Sequence, residues 1–330
     1  MKRNLAVSVL LLVVVVAIAS LIPGRAQSAG TPTAHPPGNG APPANPLKVA
    51  LLKWYAANTT TSFKVGKEPY GVAFDGQNIW TANSGDGTLT KLRASDGERL
   101  GEFVCGAGYG VAFDGANIWA TRIDNKVVKV RASDGKVLGI YDAGTSPFWL
   151  AFDGANIWVA NFGVGTGSVT ELRASDGKTL GTFKVDAAPI AVAFDGANIW
   201  VTSYGLNTVT KMRVTDGKVL GKFSVGTNPV GVAFDGANIW VANRSDGTVT
   251  KLRASDGANL GTFNVGGGPY GIAFDGANIW VAAPGAVVQL RASDGSILGT
   301  FFLSGEPTGV AFDGANIWVT VLDNDSVSKM

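Results

Sequence analysis

One phrase, FDGxNIW, recurs seven times in this chain of 330 residues, beginning at Phe74, Phe113, Phe152, Phe194, Phe234, Phe274 and Phe312. The intervals are 39, 39, 42, 40, 40 and 38 residues. A period near 40 means that one small unit is built seven times, and such units bury their apolar faces only against one another. The chain is therefore a propeller or a solenoid, and the unit itself decides which. In the fifth copy, residues 230–234 form a short apolar run closed by Asp235-Gly236-Ala237-Asn238, and residues 239–242 form a second run. Residues 248–253 alternate and are rich in β-branched side chains, Asp256-Gly257 marks another tight turn, and residues 260–265 complete the unit. Four short antiparallel strands per repeat make a propeller blade, which is more than a solenoid coil needs. The 45 glycines and the low share of charged residues, 16%, suit short strands and tight turns, so almost no helix is expected.

The two ends separate an open array from a closed ring. The last copy stops at Ser326-Val327-Ser328-Lys329-Met330, which matches a third strand, and its fourth strand is missing. Before the first copy, Ser62-Phe63-Lys64-Val65 reads like Thr182-Phe183-Lys184-Val185, a fourth strand. One end supplies what the other lacks. The fold class expected is all-β, a seven-bladed β-propeller of four-stranded antiparallel blades over residues 59–330. Its ring is closed by an N-terminal strand that completes the last blade, leaving no exposed edge there.

Ahead of the repeats, Lys2 and Arg3 precede an apolar run through Ile22, and Gly24-Arg25-Ala26 offers small residues for cleavage. Residues 1–26 are read as a signal peptide, or as an uncleaved anchor, since the run is also long enough to span a bilayer. Residues 27–58, rich in Pro, Gly and Ala, are read as a spacer, and the only histidine, His35, lies there. Both outcomes place the rest of the chain outside the cytoplasm, whether periplasmic, secreted or at the cell surface, with the membrane touched only through an uncleaved N-terminal segment. Without Lys2, Arg3 and Arg25 the chain carries 24 basic and 25 acidic residues, so electrostatic capture of nucleic acid has no support. Cys105 is the sole cysteine, so no internal disulfide can form; it stands where sister repeats have Val185, Val225 and Val265 and reads as a small buried residue. A monomer is expected.

The phrases VGxxPxGVAFDGxNIWVAN and TVTKLRASDG resemble the YVTN family of β-propeller repeats, and more loosely the NHL and streptogramin-lyase propellers. The family's name motif falls on the second strand, as in Trp200-Val201-Thr202-Ser203 and Trp240-Val241-Ala242-Asn243. The resemblance covers about residues 60–330 and implies the architecture. For function it implies only that surface-layer and other exported proteins are among its members, since propellers host binding, scaffolding and several chemistries.

Comparison of the seven copies sorts scaffold from surface. One tryptophan per blade (Trp80, Trp119, Trp158, Trp200, Trp240, Trp280, Trp318) is expected between neighbouring blades, and the Asp-Gly pairs are expected in turns rather than at calcium. RASDG is expected to be a structural turn or a link between blades. The copies diverge in the loops from strand four to strand one and from strand two to strand three, which share one face. Before the Gly-Val-Ala strand stand Tyr70, Tyr109, Phe148, Ile190, Val230, Tyr270 and Thr308, with Trp149 replacing the usual glycine in blade three. The other loops bring Arg122, Phe162, Tyr204, Arg244 and Leu322. Function concentrates on variable loops held by a rigid scaffold. The candidate ligand- or partner-binding residues are therefore Tyr70, Tyr109, Arg122, Phe148, Trp149, Phe162, Tyr204, Arg244 and Tyr270; drift in unselected loops is the competing account.

Enzyme readings find little to stand on. Streptogramin-lyase-like propellers are expected to use a histidine, and none lies in the repeats. A lactonase-like metal site needs converging oxygen ligands, and Glu68, Glu306, Asn83, Asn161 and Asn243 are the residues that share the right face. Glu68 and Glu306 could also serve as paired carboxylates for glycoside hydrolysis. No catalytic residue, cofactor or metal ligand is assigned. The expected function is an exported, non-catalytic module that binds an extracellular ligand or protein. A metal-assisted hydrolase or lyase, and a purely structural surface protein, are the alternatives.

Overall fold

Each DGxN turn is built by one carboxylate. In blade five, Asp235 accepts the backbone N–H of Ala237 and of Asn238 on Oδ1, and the indole N–H of Trp240 on Oδ2 at 2.7 Å. Gly236, at φ 96°, takes the left-handed conformation that the turn demands. The same carboxylate-to-indole bond recurs in all seven copies. A turn residue thus fixes the ring that the blade packs on.

The computed structural model of the chain describes residues 60–163 and 165–330; the segments read as signal and spacer lie outside the described residues. The strands form seven four-stranded antiparallel sheets. Six are consecutive; blade five, for example, is Pro229–Phe234, Asn238–Asn243, Thr248–Arg253 and Asn259–Asn264. The seventh contains Pro307–Phe312, Ile317–Val321 and Ser326–Lys329, completed by Thr61–Lys64 from the other end of the chain. Thr61 pairs with Lys329 and Lys64 with Ser326, so the ring closes as the complementary ends require. The only helix among the described residues is the three-residue 3₁₀ turn Leu322–Asn324.

Apolar clusters span neighbouring blades. Trp80, Ala82 and Leu89 of blade one pack with Val111, Ile118 and Val128 of blade two, and Cys105 is buried among them. Burial pushes the Cys105 thiol up to about 11. Trp318 and Val327 of blade seven pack with Val72, Ile79 and Leu92 of blade one across the closure. Six of the seven tryptophans are fully buried and Trp280 nearly so. In six of the seven blades the outer-strand aromatic ring also fills the turn of the next blade: a Cβ on Gly135 (φ 75°) would lie 1.8 Å from Phe103 Cε1, so that position admits only glycine.

A second link between blades is electrostatic: the RASDG turn is the link expected from the sequence, and its partner, a lysine, is new. In blades one, two, four, five and seven, a third-strand lysine lies over its own blade's tryptophan, with Nζ 4.9–5.3 Å from the ring centroid. The same ammonium donates to the next blade's RASDG turn, as Lys251 does to the Ala292 carbonyl at 2.7 Å and the Ser293 carbonyl at 3.1 Å. Lys329 bonds Ala94 and Ser95 and carries the link across the closure. RASDG is therefore both turn and link, with Arg253 bridging Asp256 inside the turn at 2.8 Å.

Candidate functional site

The divergent residues are aimed by bulges in the innermost strands. In blade three the pairing runs from Pro147 opposite Asn161 to Leu150 opposite Val159, so Phe148 and Trp149 have one residue more than their partner strand. Blades one, four, five and seven have the same one-residue slip after their prolines, and blade two slips by two between Ala107 and Val111. A bulge of this kind turns side chains out of the ladder's alternation. Here it brings Tyr70, Phe148 and their counterparts to one end of the axis; in blade six, whose inner strand starts at Ile272 without such a slip, the Tyr270 N–H is held by the Ala282 carbonyl at 2.8 Å. Glycine next in line lets blades approach closely, since a Cβ on Gly231 would meet the Tyr270 carbonyl at 2.2 Å.

Five of the candidate aromatics touch in a continuous arc. Tyr270 lies 6.1 Å from Tyr70, Tyr70 meets Tyr109 edge-on at 5.0 Å, Tyr109 stacks on Phe148 at 4.5 Å, and Phe148 lies 6.4 Å from Phe162. All five are partly exposed. Phe148, Trp149, Phe162, Tyr204 and Tyr270 pack around a buried core of Ile190, Ala191 and Val230. Beneath the arc the axis holds a cavity of about 80 Å³ with an apolar wall that includes Val72, Trp149, Ile190, Val230 and Ile272. Trp149 thus lies against the axis itself rather than only at its mouth.

Charge is confined to one side of the arc. The Arg244 guanidinium lies 5.4 Å from the Tyr270 ring centroid and 3.7 Å from the Glu306 carboxylate. Burial, then the neighbouring Tyr109, Glu306 and Glu68, push the Tyr70 phenol upward, and Arg244 opposes them. Burial also raises Tyr270. Both phenols stay neutral at neutral pH and offer hydroxyl hydrogen bonds rather than a base. The result is an aromatic floor with an ion pair at one rim and apolar side chains at the other.

The remaining candidates go elsewhere. Arg122 turns onto Asp124, at 2.9 and 2.7 Å, and onto the Cys105 carbonyl, clamping its loop outside the arc. The asparagines considered as metal ligands are buried and point inward: Asn243 donates to Thr248 and Thr250, and Asn83 to Thr88 and Thr90. They do not converge with Glu68 and Glu306, because an amide buried in a blade must satisfy its hydrogen bonds there. Blade four has Ser203 in their place, and Ser203 Oγ and Thr210 Oγ1 are the two buried side-chain oxygens without a partner among the described residues. Among these residues no three of His, Cys, Asp or Glu converge as a metal site.

Backbone strain marks the same face. Seven non-glycine residues have left-handed φ values: Glu68, Asn125, Ser146, Ala188, Asn207, Asn228 and Asp325. Every one lies in a loop on the aromatic side, and four directly precede a proline. On the opposite face the left-handed positions of the DGxN and RASDG turns are all glycine. Four of the seven are Asn or Asp, which take this conformation readily, so the strain rests on Glu68, Ser146 and Ala188, each directly before a proline.

No family model matches the chain, and no curated protein matches it. Among solved structures it is similar to Kuenenia stuttgartiensis hydrazine synthase, with a TM-score of 0.69 and 16% identity over 80% of this chain and 95% of that one. At such low identity the likeness shows the propeller fold alone.

Proposed function

We propose that this chain is an exported, non-catalytic β-propeller of the YVTN-repeat kind, which binds an envelope or extracellular ligand or protein at its aromatic mouth. The observation that carries the reading is the contiguous arc of Tyr270, Tyr70, Tyr109, Phe148 and Phe162 at one end of the axis. Partly exposed aromatic rings give large contact area at small entropic cost, and tyrosine hydroxyls add hydrogen bonding. Strained loops around that mouth support it further, since backbone strain collects at functional sites. The ion pair Arg244–Glu306 at one rim would orient a ligand that has both apolar and polar faces. Screening the intact chain on glycan and peptide arrays, and by pull-down from envelope extracts, tests the reading. Capture that disappears in Tyr70→Ala/Trp149→Ala while the fold survives supports it; absence of any capture that depends on these residues sinks it in favour of a structural role.

A further inference from the structure

Blade six lacks the polar guard that every other outer edge carries. The fourth strand of each blade is the last of its sheet, and the outward N–H and C=O groups of such a strand invite pairing with another chain unless something blocks it. In blade six this strand is Ile297–Phe302, and its ladder is regular from Gly299 to Phe302, after a bulge. The Leu303 N–H turns inward to the Gly285 carbonyl, so by the alternation of an antiparallel ladder Thr300 and Phe302 aim their backbone groups outward. At the positions of these two residues the other blades, one to five and seven, carry Glu102, Asp142, Lys184, Lys222, Asn264 and Lys64. Blade six has neither charge nor side-chain amide anywhere from Gly295 to Gly305. Its outer side is apolar as well, with Phe302 83% exposed, Ile297 53% and Leu298 43%.

We propose that this edge pairs with the same edge of a second copy of the chain, joining two blades into one eight-stranded antiparallel sheet. Self-complementarity selects that partner. Antiparallel pairing about a two-fold axis at Phe301 sets Phe302 opposite Thr300, Leu303 opposite Gly299 and Ile297 opposite Gly305, a large side chain against a small one each time. The outward backbone groups of Thr300 and Phe302 then satisfy one another, and no charge faces a charge. At the sister edges the same operation would bring Glu102, Lys222 or another polar side chain into the contact. Phe302 alone would bury about 170 Å² per copy, taking a ring side chain as roughly 200 Å². With Ile297, Leu298, Thr300 and the edge backbone the total approaches about 1,000 Å² over both copies, the low end for a specific contact. The dimer is therefore reversible, and the chain is a monomer when dilute.

Two readouts on the full chain test this. In sedimentation equilibrium the average mass should rise toward twice that of the chain as concentration passes about 100 μM, the scale expected of so small an interface. Over the same range, amide hydrogen exchange should slow several-fold in a peptide spanning Ile297–Phe302 and stay constant in the blade-five counterpart Asn259–Asn264. Phe302→Lys gives this edge the residue that blade three has there, Lys184, so it should fold and melt like dilute wild type while losing both responses. Thr300→Lys, which copies Lys222 of blade four, should behave likewise. A wild-type mass independent of concentration, growth beyond a dimer, protection elsewhere than on this strand, or association that persists in both variants would overturn the assignment. The last result would place the contact outside blade six, on another surface or on the apolar N-terminal segment.

Discussion

Replacing Trp240 with alanine isolates what a seam tryptophan contributes. The ring is fully buried, 5.6 Å from Phe263 and 4.9 Å from Lys251 Nζ, with its indole N–H on Asp235. A buried tryptophan removes on the order of 200 Å² from water, worth about 5 kcal/mol at 25 cal/mol per Å². The cation–π contact adds about 1 kcal/mol, and partial collapse of the hole returns some of the loss. The expected destabilisation is about 4 kcal/mol. Trp149, partly exposed against the axial cavity, should cost about 1–2 kcal/mol on the same accounting, because much of its surface stays wet. Urea unfolding followed by far-ultraviolet circular dichroism gives both values, with unchanged m-values as the check that the compared states are the same. Equal losses at the two positions would refute the separation of seam from mouth.

Other perturbations probe the closure and the links. Deleting residues 61–64 should strip Ser326–Lys329 of its partner, lower the melting midpoint by more than about 5 °C and promote association through the bared edge; a truncated chain that melts like wild type as a monomer would defeat the closure argument. Lys251→Met keeps the stem over Trp240 but loses the bonds to Ala292 and Ser293, and should cost about 2 kcal/mol in the same urea assay, an unchanged midpoint counting against the ammonium link. For Asp114, Asp195, Asp235, Asp275 and Asp313, burial alone would raise the carboxyl, but the bonds from tryptophan, asparagine and backbone N–H outweigh it and hold each below its ordinary value. Their stabilisation is present above the unfolded value of about 3.9 and is lost as pH falls through the folded values, so thermal stability from this source should be flat from pH 7 to about 5 and decline below about 4. A decline starting near pH 6 would point to another group.

Much of the architecture was readable because the chain contains its own controls. Seven copies of one phrase locate the turns, the alternation of residues 248–253 identifies a strand, and Ser62-Phe63-Lys64-Val65 identifies the missing partner of the last blade. The tryptophans could be placed between blades because side chains that repeat sevenfold serve what repeats. The mouth was readable as a set of divergent residues but not as an arc. Its geometry depends on bulges, and a one-residue slip in register changes which side chains face the axis. Arg122 looked equivalent to Arg244, yet Asp124 two residues away captures it. The lysine seam stayed hidden because a lysine in an alternating strand reads as solvent-facing; only the neighbouring blade supplies the carbonyls that bury it.

Affinity measured on variants of the two faces tests the central claim most directly. A ligand captured on the arrays would be titrated calorimetrically into wild type, into the mouth variant Tyr70→Ala/Trp149→Ala, and into the turn variant Arg93→Ala/Arg253→Ala on the opposite face, with melting curves confirming that all three are folded. A functional aromatic mouth predicts a loss of about 100-fold for the mouth variant, the scale of two anchor side chains, and a turn variant that binds like wild type. Binding retained by the mouth variant and lost by the turn variant, or equal in all three, would contradict the account.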